Sequence, residues 1–196
     1  MLTFIYSCVN AGKSANLLMR AHSCSERNMN FIIFAPDVTQ KRDGVGQVAS
    51  RIGFKHEAIP LSKNCNPLEI VLRKQLKEST SYDVIFIDEA QFLTKEQVMG
   101  VTRIADNLSI PVFAYGLRTD FMGNPFEGAT FLMAWSDKIE EIATFALGGE
   151  KAIFNQKVGE NGERVTEGEV VDAGFHYLPV TRSEFDLQSH WKSNLS

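Results

Sequence analysis

No run of 18 apolar residues occurs in the 196-residue chain, and a membrane-spanning helix needs about 20 of them, so none is expected. Cysteine is scarce. Cys8, Cys24 and Cys65 lie far apart and form no close pair, which argues against a disulfide framework and for reducing, cytoplasmic surroundings. Positive charge is not in excess: 20 Lys and Arg against 24 Asp and Glu leave a net charge of −4. Non-specific binding of nucleic acid is therefore not expected. The first residues show neither the basic start nor the small-residue cleavage site of a secretory signal, and neither internal repeat nor low-complexity segment is visible. A hydrophobic content of 44% is enough for a real core, and the length suits one ordinary domain with a small appendage.

The chain is organised around its beginning, LTFIYSCVNAGKSANLLMR at positions 2–20. The apolar, β-branched run at 2–6 reads as a buried strand, and 15–21 as a helix with Leu17, Leu18 and Ala21 on one face. Between them, Gly12-Lys13-Ser14 completes the strand, loop and helix order of a phosphate-binding loop. The order matters chemically. Backbone N–H groups around Gly12, backed by the positive end of the helix, cradle phosphate oxygens; Lys13 reaches the β- and γ-phosphates, and the Ser14 hydroxyl can ligate Mg²⁺. One position departs from the pattern: Ser7 stands where the first glycine of G-x-x-x-x-G-K-[ST] would fall. Three residues recur by chance, and an ordinary polar turn is the alternative reading, so the loop gains weight only from residues further along the chain.

A second strand is expected at 30–35, stopped by Pro36-Asp37. The polar stretch 37–53, with Lys41, Arg42, Gly44 and Gly46, reads as a mobile loop over the site or as a plain solvated connection. Residues 67–79 have helical periodicity, with Leu68, Val71, Leu72 and Leu76 on one side. The run Val84-Ile85-Phe86-Ile87-Asp88-Glu89 describes a central parallel strand with two carboxylates at its C-terminal end, where open α/β sheets bind ligands. Asp88 can hold Mg²⁺ through its water shell, and Glu89 can take a proton or orient a nucleophile; an exposed acidic turn at a helix start is the alternative. A helix at 94–108, a strand at 110–117, a turn at 124–128 and a helix at 131–142 come next. Alternating strands and helices make this an α/β fold with a central parallel sheet and right-handed crossovers. After about residue 145 the texture turns to strands, with a hairpin signal at Glu160-Asn161-Gly162 between 152–158 and 164–171. The expected division is a nucleotide-binding core at 1–143, a small β subdomain at 144–182 and a tail at 183–196.

Val9-Asn10-Ala11-Gly12-Lys13-Ser14, Ser50-Arg51-Ile52-Gly53, Asp88-Glu89-Ala90-Gln91-Phe92-Leu93, Tyr115-Gly116-Leu117-Arg118-Thr119-Asp120-Phe121 and Ala134-Trp135-Ser136-Asp137-Lys138, in this order, resemble the type II thymidine kinases of bacteria and bacteriophages. The resemblance implies a RecA-like P-loop core with a small β-rich lasso subdomain, and transfer of the γ-phosphoryl of ATP to the 5′-hydroxyl of thymidine, and of deoxyuridine, in nucleotide salvage. It further implies a homotetramer and feedback binding of thymidine triphosphate (dTTP), with neither nucleic acid nor membrane as partner. Position by position it makes Glu89 the catalytic base and Arg42 an arginine near the phosphates. It places Val9, Asn10, Ala11, Gly12, Lys13, Ser14, Asp88 and Gln91 on the nucleotide side, with Ser14 and Asp88 toward Mg²⁺. Leu117, Phe121, Phe126, Val171 and Tyr177 fall on the nucleoside side. The aspartate usual just before Arg42 is missing from Thr39-Gln40-Lys41, Val9 stands where a methionine is common, and the lasso at 169–177 is about two residues short.

Many relatives pin the appendage with a structural zinc held by two cysteine pairs, or by three cysteines and a histidine. Those positions fall here at Gly148 with Ala146 or Phe145, and at Thr181 and Glu184. None is Cys or His, so no zinc is expected; the appendage should rest on Phe145, Ile153, Phe154, the hairpin and neighbouring subunits. Two other readings remain. The Asp-Glu-Ala-x box also resembles that of RecA-like motor ATPases acting on nucleic acid, although the chain is too short for a second motor domain. A nucleotide-binding protein without catalysis is the other, weakened by the intact Lys13, Ser14, Asp88 and Glu89.

Overall fold

The computed structural model describes residues 1–39, 46–159, 162–168 and 175–186. Its centre is a sheet of six parallel strands in the order β5-β2-β6-β7-β1-β8, comprising β1 (Leu2–Tyr6), β2 (Phe31–Pro36), β5 (Ile59–Leu61), β6 (Val84–Ile87), β7 (Val112–Gly116) and β8 (Lys138–Glu141). Side chains alternate between faces along each inner strand. Phe4, Phe34, Ile85, Ile87 and Ala114 join one core cluster, with α2 (Pro67–Glu78), α3 (Lys95–Asn107) and α4 (Glu127–Trp135) packed over it. Ile5, Ile33, Phe86 and Tyr115 face the other way, onto Leu17, Leu18 and Ala21 of α1 (Lys13–Ser25). Burial on both faces explains why these strands read as continuous apolar runs.

Helix starts obey their local chemistry. Asn66 caps α2, its side chain accepting from the Leu68 N–H, with Pro67 at the first helical position. Thr94 and Gln97 form a reciprocal capping box at α3. Gly12 opens α1 in the left-handed conformation with no side-chain cap and no acid in the first turn, which leaves that helix start suited to an anion.

The structure corrects several expectations. Within 37–53 lies β3 (Gln47–Ala49), paired antiparallel with β4 (Lys55–Glu57); Val48 is buried against the α1 side and gives this hairpin its hold. On α2, Val71 is fully buried whereas Leu72 and Leu76 are exposed, so the helix packs through Pro67, Val71 and their neighbours rather than along the expected stripe. The helix expected at 131–142 ends at Trp135. Asp137 accepts a hydrogen bond from the Leu2 N–H at 2.6 Å, turning the chain into β8, which runs parallel to β1 at the sheet edge.

The appendage is a three-stranded antiparallel sheet, β10 (Arg164–Val165), β9 (Phe154–Val158) and β11 (His176–Val180), followed by the short helix α5 (Arg182–Phe185). Phe145, expected in its core, is exposed. The core instead gathers Phe154, Val180 and Phe185, with Ile153 and Leu178 against them. Asn161 of the expected hairpin turn and residues 169–174 of the lasso lie outside the described residues.

Candidate active site

A cavity of about 770 Å³ opens beside the C-terminal ends of β1, β6 and β7, where ligands of parallel α/β sheets are held. It brings together Val9, Asn10, Gly12, Lys13, Ser14, Glu89, Gln91, Leu117, Phe121, Phe126 and Tyr177, eleven of the residues singled out in sequence. Ala11 and Asp88 do not line it. Arg42 and Val171 lie outside the described residues.

Lys13 is buried, its Nζ donating to Ser7 Oγ and to the Cys8 carbonyl, both at 3.1 Å. Ser7, the position that departs from the glycine pattern, thus supplies an oxygen that holds the lysine, while its own hydroxyl donates to the Cys8 carbonyl at 2.7 Å. Burial pushes the Cys8 thiol above its ordinary range, against the opposing charges of Arg118 and Lys13, so this loop cysteine stays protonated at neutral pH and unreactive.

The Ser14 hydroxyl donates to Asp88 Oδ2 at 2.8 Å, and Asp88 is 1% exposed. A hydroxyl and a carboxylate in contact at a phosphate loop are hard oxygen donors, which fits a Mg²⁺ ion that keeps most of its shell as water and phosphate oxygens. No group of three or more His, Cys, Asp or Glu able to cage a metal occurs among the described residues.

Glu89 comes directly after, at φ 49° in the left-handed region, with little solvent exposure. Gln91 Nε2 donates to Glu89 Oε2 at 2.6 Å, while its Oε1 accepts from the Leu117 N–H at 3.1 Å. The amide of Gln91 is therefore used inside the protein, joining the carboxylate to the loop that carries Leu117. That loop turns around Asp120, whose Oδ1 accepts from the N–H groups of Met122 and Asn124 at 2.8 and 2.9 Å, and it presents Phe121 to the cavity. Phe126 meets Phe92 edge to face, with ring centres 5.3 Å apart.

Several lining residues were not legible as such. Arg51, within a recognised motif but without an assigned task, lines the cavity and hydrogen-bonds Asn10 Oδ1; Asn10 Nδ2 in turn donates to the Tyr177 carbonyl at 3.2 Å. Asn155 of β9 accepts from the Val9 N–H at 2.8 Å, tying the phosphate loop to the appendage. Phe175 completes the aromatic lining. No local pattern signals Asn155 or Phe175, because their places depend on how β9 and β11 dock.

The arrangement can hold a polyphosphate at Gly12 to Ser14, position a proton acceptor at Glu89, and enclose a planar ring among Phe121, Phe126 and Phe175. A family model described as thymidine kinase matches residues 1–185. The thymidine kinase of Coxiella burnetii (strain RSA 493 / Nine Mile phase I) is 40% identical over 188 residues, covering 95% of each chain. That of Legionella pneumophila (strain Lens) is 43% identical over 88% of this chain and 82% of its own, and that of Mannheimia succiniciproducens 42% over 94% of both. With this coverage from the first strand to the last described helix, the chain belongs to the thymidine kinase family.

Proposed function

We propose that the protein transfers the γ-phosphoryl group of ATP to the 5′-hydroxyl of thymidine, and of deoxyuridine, in pyrimidine deoxynucleotide salvage. The observation that carries this is a single cavity that gathers the phosphate loop, Glu89 and a set of aromatic side chains. Backbone N–H groups at the uncapped start of α1 receive the phosphates, and Lys13 moves from Ser7 and Cys8 to the oxygens of the transferring group. Arg51 is the second cation among the described lining residues and shares this task with Arg42. Phosphoryl transfer asks mostly for such positioning and charge stabilisation. Ser14 and Asp88 would hold the divalent ion, which would supply charge neutralisation to the phosphate oxygens. Glu89 accepts the 5′-hydroxyl proton. An ordinary carboxylate is a weak base, so the grip of Gln91 on one of its oxygens, which fixes it beside the hydroxyl, matters more than basicity. Leu117, Phe121, Phe126 and Tyr177 enclose the nucleoside, and the resemblance assigns Val171 to the same task.

The same cavity suits dTTP as a feedback ligand, its base and phosphates taking both sets of contacts at once. We read residues 1–143 as the catalytic core, 144–182 as the closing subdomain without structural zinc, and 183–196 as a tail. The protein works in the cytoplasm as a homotetramer, which the exposed apolar side chains Leu72, Leu76, Trp135, Ile139 and Leu147 support.

Thymidine monophosphate formation from ATP and thymidine tests the reading. Glu89→Gln keeps the shape and the bond partners but removes the base; turnover should fall roughly 10²–10⁴-fold with unfolding unchanged. Near-normal turnover in that variant would take the proton-acceptor role from Glu89.

A further inference from the structure

Side chains two apart on a strand share a face, and on β9 this pairs Asn155 with Lys157. Both are buried, Lys157 to 1% exposure. Asn155 reaches the phosphate loop; Lys157 reaches the aromatic end of the cavity. Its Nζ stands 4.1 Å from the ring centre of Phe175 and 4.9 Å from that of Phe121, and both rings line the cavity. The rings belong to different parts of the molecule: Phe121 to the core loop after β7, Phe175 to the segment entering β11. A third side is closed by Gly168, at φ 113°, where an added Cβ would lie 3.4 Å from the Lys157 ammonium. Lys157 is also the register partner of Val165 on β10 and Tyr177 on β11, so its position is fixed from both neighbouring strands.

We propose that Lys157 is a positioning residue for nucleoside binding, its ammonium clamping Phe175 to Phe121 and thereby setting the slot that receives the base. This rests on the thymidine-phosphorylating reading of the same cavity. A buried ammonium loses its hydration, which strengthens its attraction to the ring faces it meets. What the ammonium adds is direction: the attraction is strongest over a ring face and falls as the ring slides away. One cation facing two rings therefore sets both ring positions, whereas an apolar side chain would let them shift. The clamp acts on the nucleoside side and leaves the phosphate loop to Asn155.

Steady-state kinetics with thymidine and ATP varied in turn, on Lys157→Met, Lys157→Arg and Phe175→Leu, test this, with thermal unfolding of each. Lys157→Met should raise the KM for thymidine about 5- to 30-fold, from loss of desolvated cation–π contact, with the KM for ATP within about twofold. Lys157→Arg keeps a cation facing the rings and should restore most of the thymidine KM. Phe175→Leu, at a residue 37% exposed, should repeat the rise and decides the matter if Lys157→Met does not fold. An unshifted thymidine KM in folded Lys157→Met or in Phe175→Leu, or a fall confined to kcat, overturns the clamp while the kinase reading stands. Wild-type protein inert toward thymidine overturns both.

Discussion

Glu89 and Asn10 are both held at positive φ, 49° and 62°, and both line the cavity. Such backbone costs of order 1 kcal/mol or more for a non-glycine residue and persists where the surroundings hold it; here Gln91 holds Glu89, and Arg51 with Tyr177 holds Asn10. Tyr115 shows a quieter constraint. It is fully buried in the central sheet, and its hydroxyl donates to Asn16 of α1 at 2.9 Å, fixing the helix behind the phosphate loop. Burial, above the opposing charge of Arg20, raises its ionisation far beyond the ordinary tyrosine value of 10. Tyr82 is raised as well, by burial first and then by its hydrogen bond to Glu78. Because the folded values lie above the unfolded one, the associated stability is fully present below pH 10 and is lost as pH rises past it. Both phenols should therefore ionise only as the fold opens, giving a late step in phenolate absorbance that coincides with loss of far-ultraviolet circular dichroism. Tyr115→Phe and Tyr82→Phe should each reduce that step. Smooth ionisation of all four tyrosines ahead of unfolding would contradict the assignment.

Helix α4 meets the turn Ala90–Phe92 through Gly128. A Cβ added there would lie 2.5 Å from the Ala90 carbonyl oxygen and 2.8 Å from those of Gln91 and Leu93, all backbone atoms that cannot swing aside. Gly128→Ala should lower stability by about 1–3 kcal/mol, as overpacking does. It should also cut turnover, since the displaced turn carries Glu89 and Gln91. Chemical denaturation and kcat together check this, and a variant as stable and active as the wild type would show that the contact relaxes freely. At this scale the sequence was readable where strands are buried on both faces, as at Phe31–Pro36 and Val84–Ile87, because nothing but apolar residues fits there. It was misread at β8, where Lys138, Glu140 and Glu141 suit an edge strand but also continue a helical pattern. The break at Ser136-Asp137 becomes visible only through the bond from Asp137 to the Leu2 N–H. Likewise the phosphate loop, Glu89, Leu117, Phe121 and Phe126 stood in short motifs, whereas Lys157, Asn155 and Phe175 acquire their places only when the appendage docks.

Across the whole molecule, the appendage closes the cavity from the side of β9 and β11, so what holds it folded also holds the nucleoside wall. The positions at which the resemblance would place zinc ligands do other work here. Thr181 accepts from the Glu184 N–H at 3.2 Å and Glu184 from the Thr181 N–H at 2.7 Å, a capping box at the start of α5. That helix seats Phe185, fully buried, on the ring of Phe154 at 4.5 Å and 18° between planes, with the Arg164 guanidinium 4.6 Å from the Phe185 ring centre. At the other pair, the Ala146 N–H donates to the Glu150 carbonyl at 2.8 Å and Ala152 to that of Thr144 at 2.9 Å, while Ala146 and Ala152 pack with Cys8. The two turns are thus fastened by backbone bonds, a cap and an aromatic stack, and Thr, Gly and Ala side chains offer zinc no ligand set. Elemental analysis of purified protein should find no tightly held zinc, and a chelator should leave the thermal unfolding curve in place. Phe185→Ala, by contrast, should cost about 3–5 kcal/mol, the range for truncating a buried phenylalanine, and should raise the thymidine KM as the sheet bearing Lys157 loosens. One zinc per chain, lost on chelation together with stability, would mean that other residues supply the ligands and that the stack is not what fastens this end of the molecule.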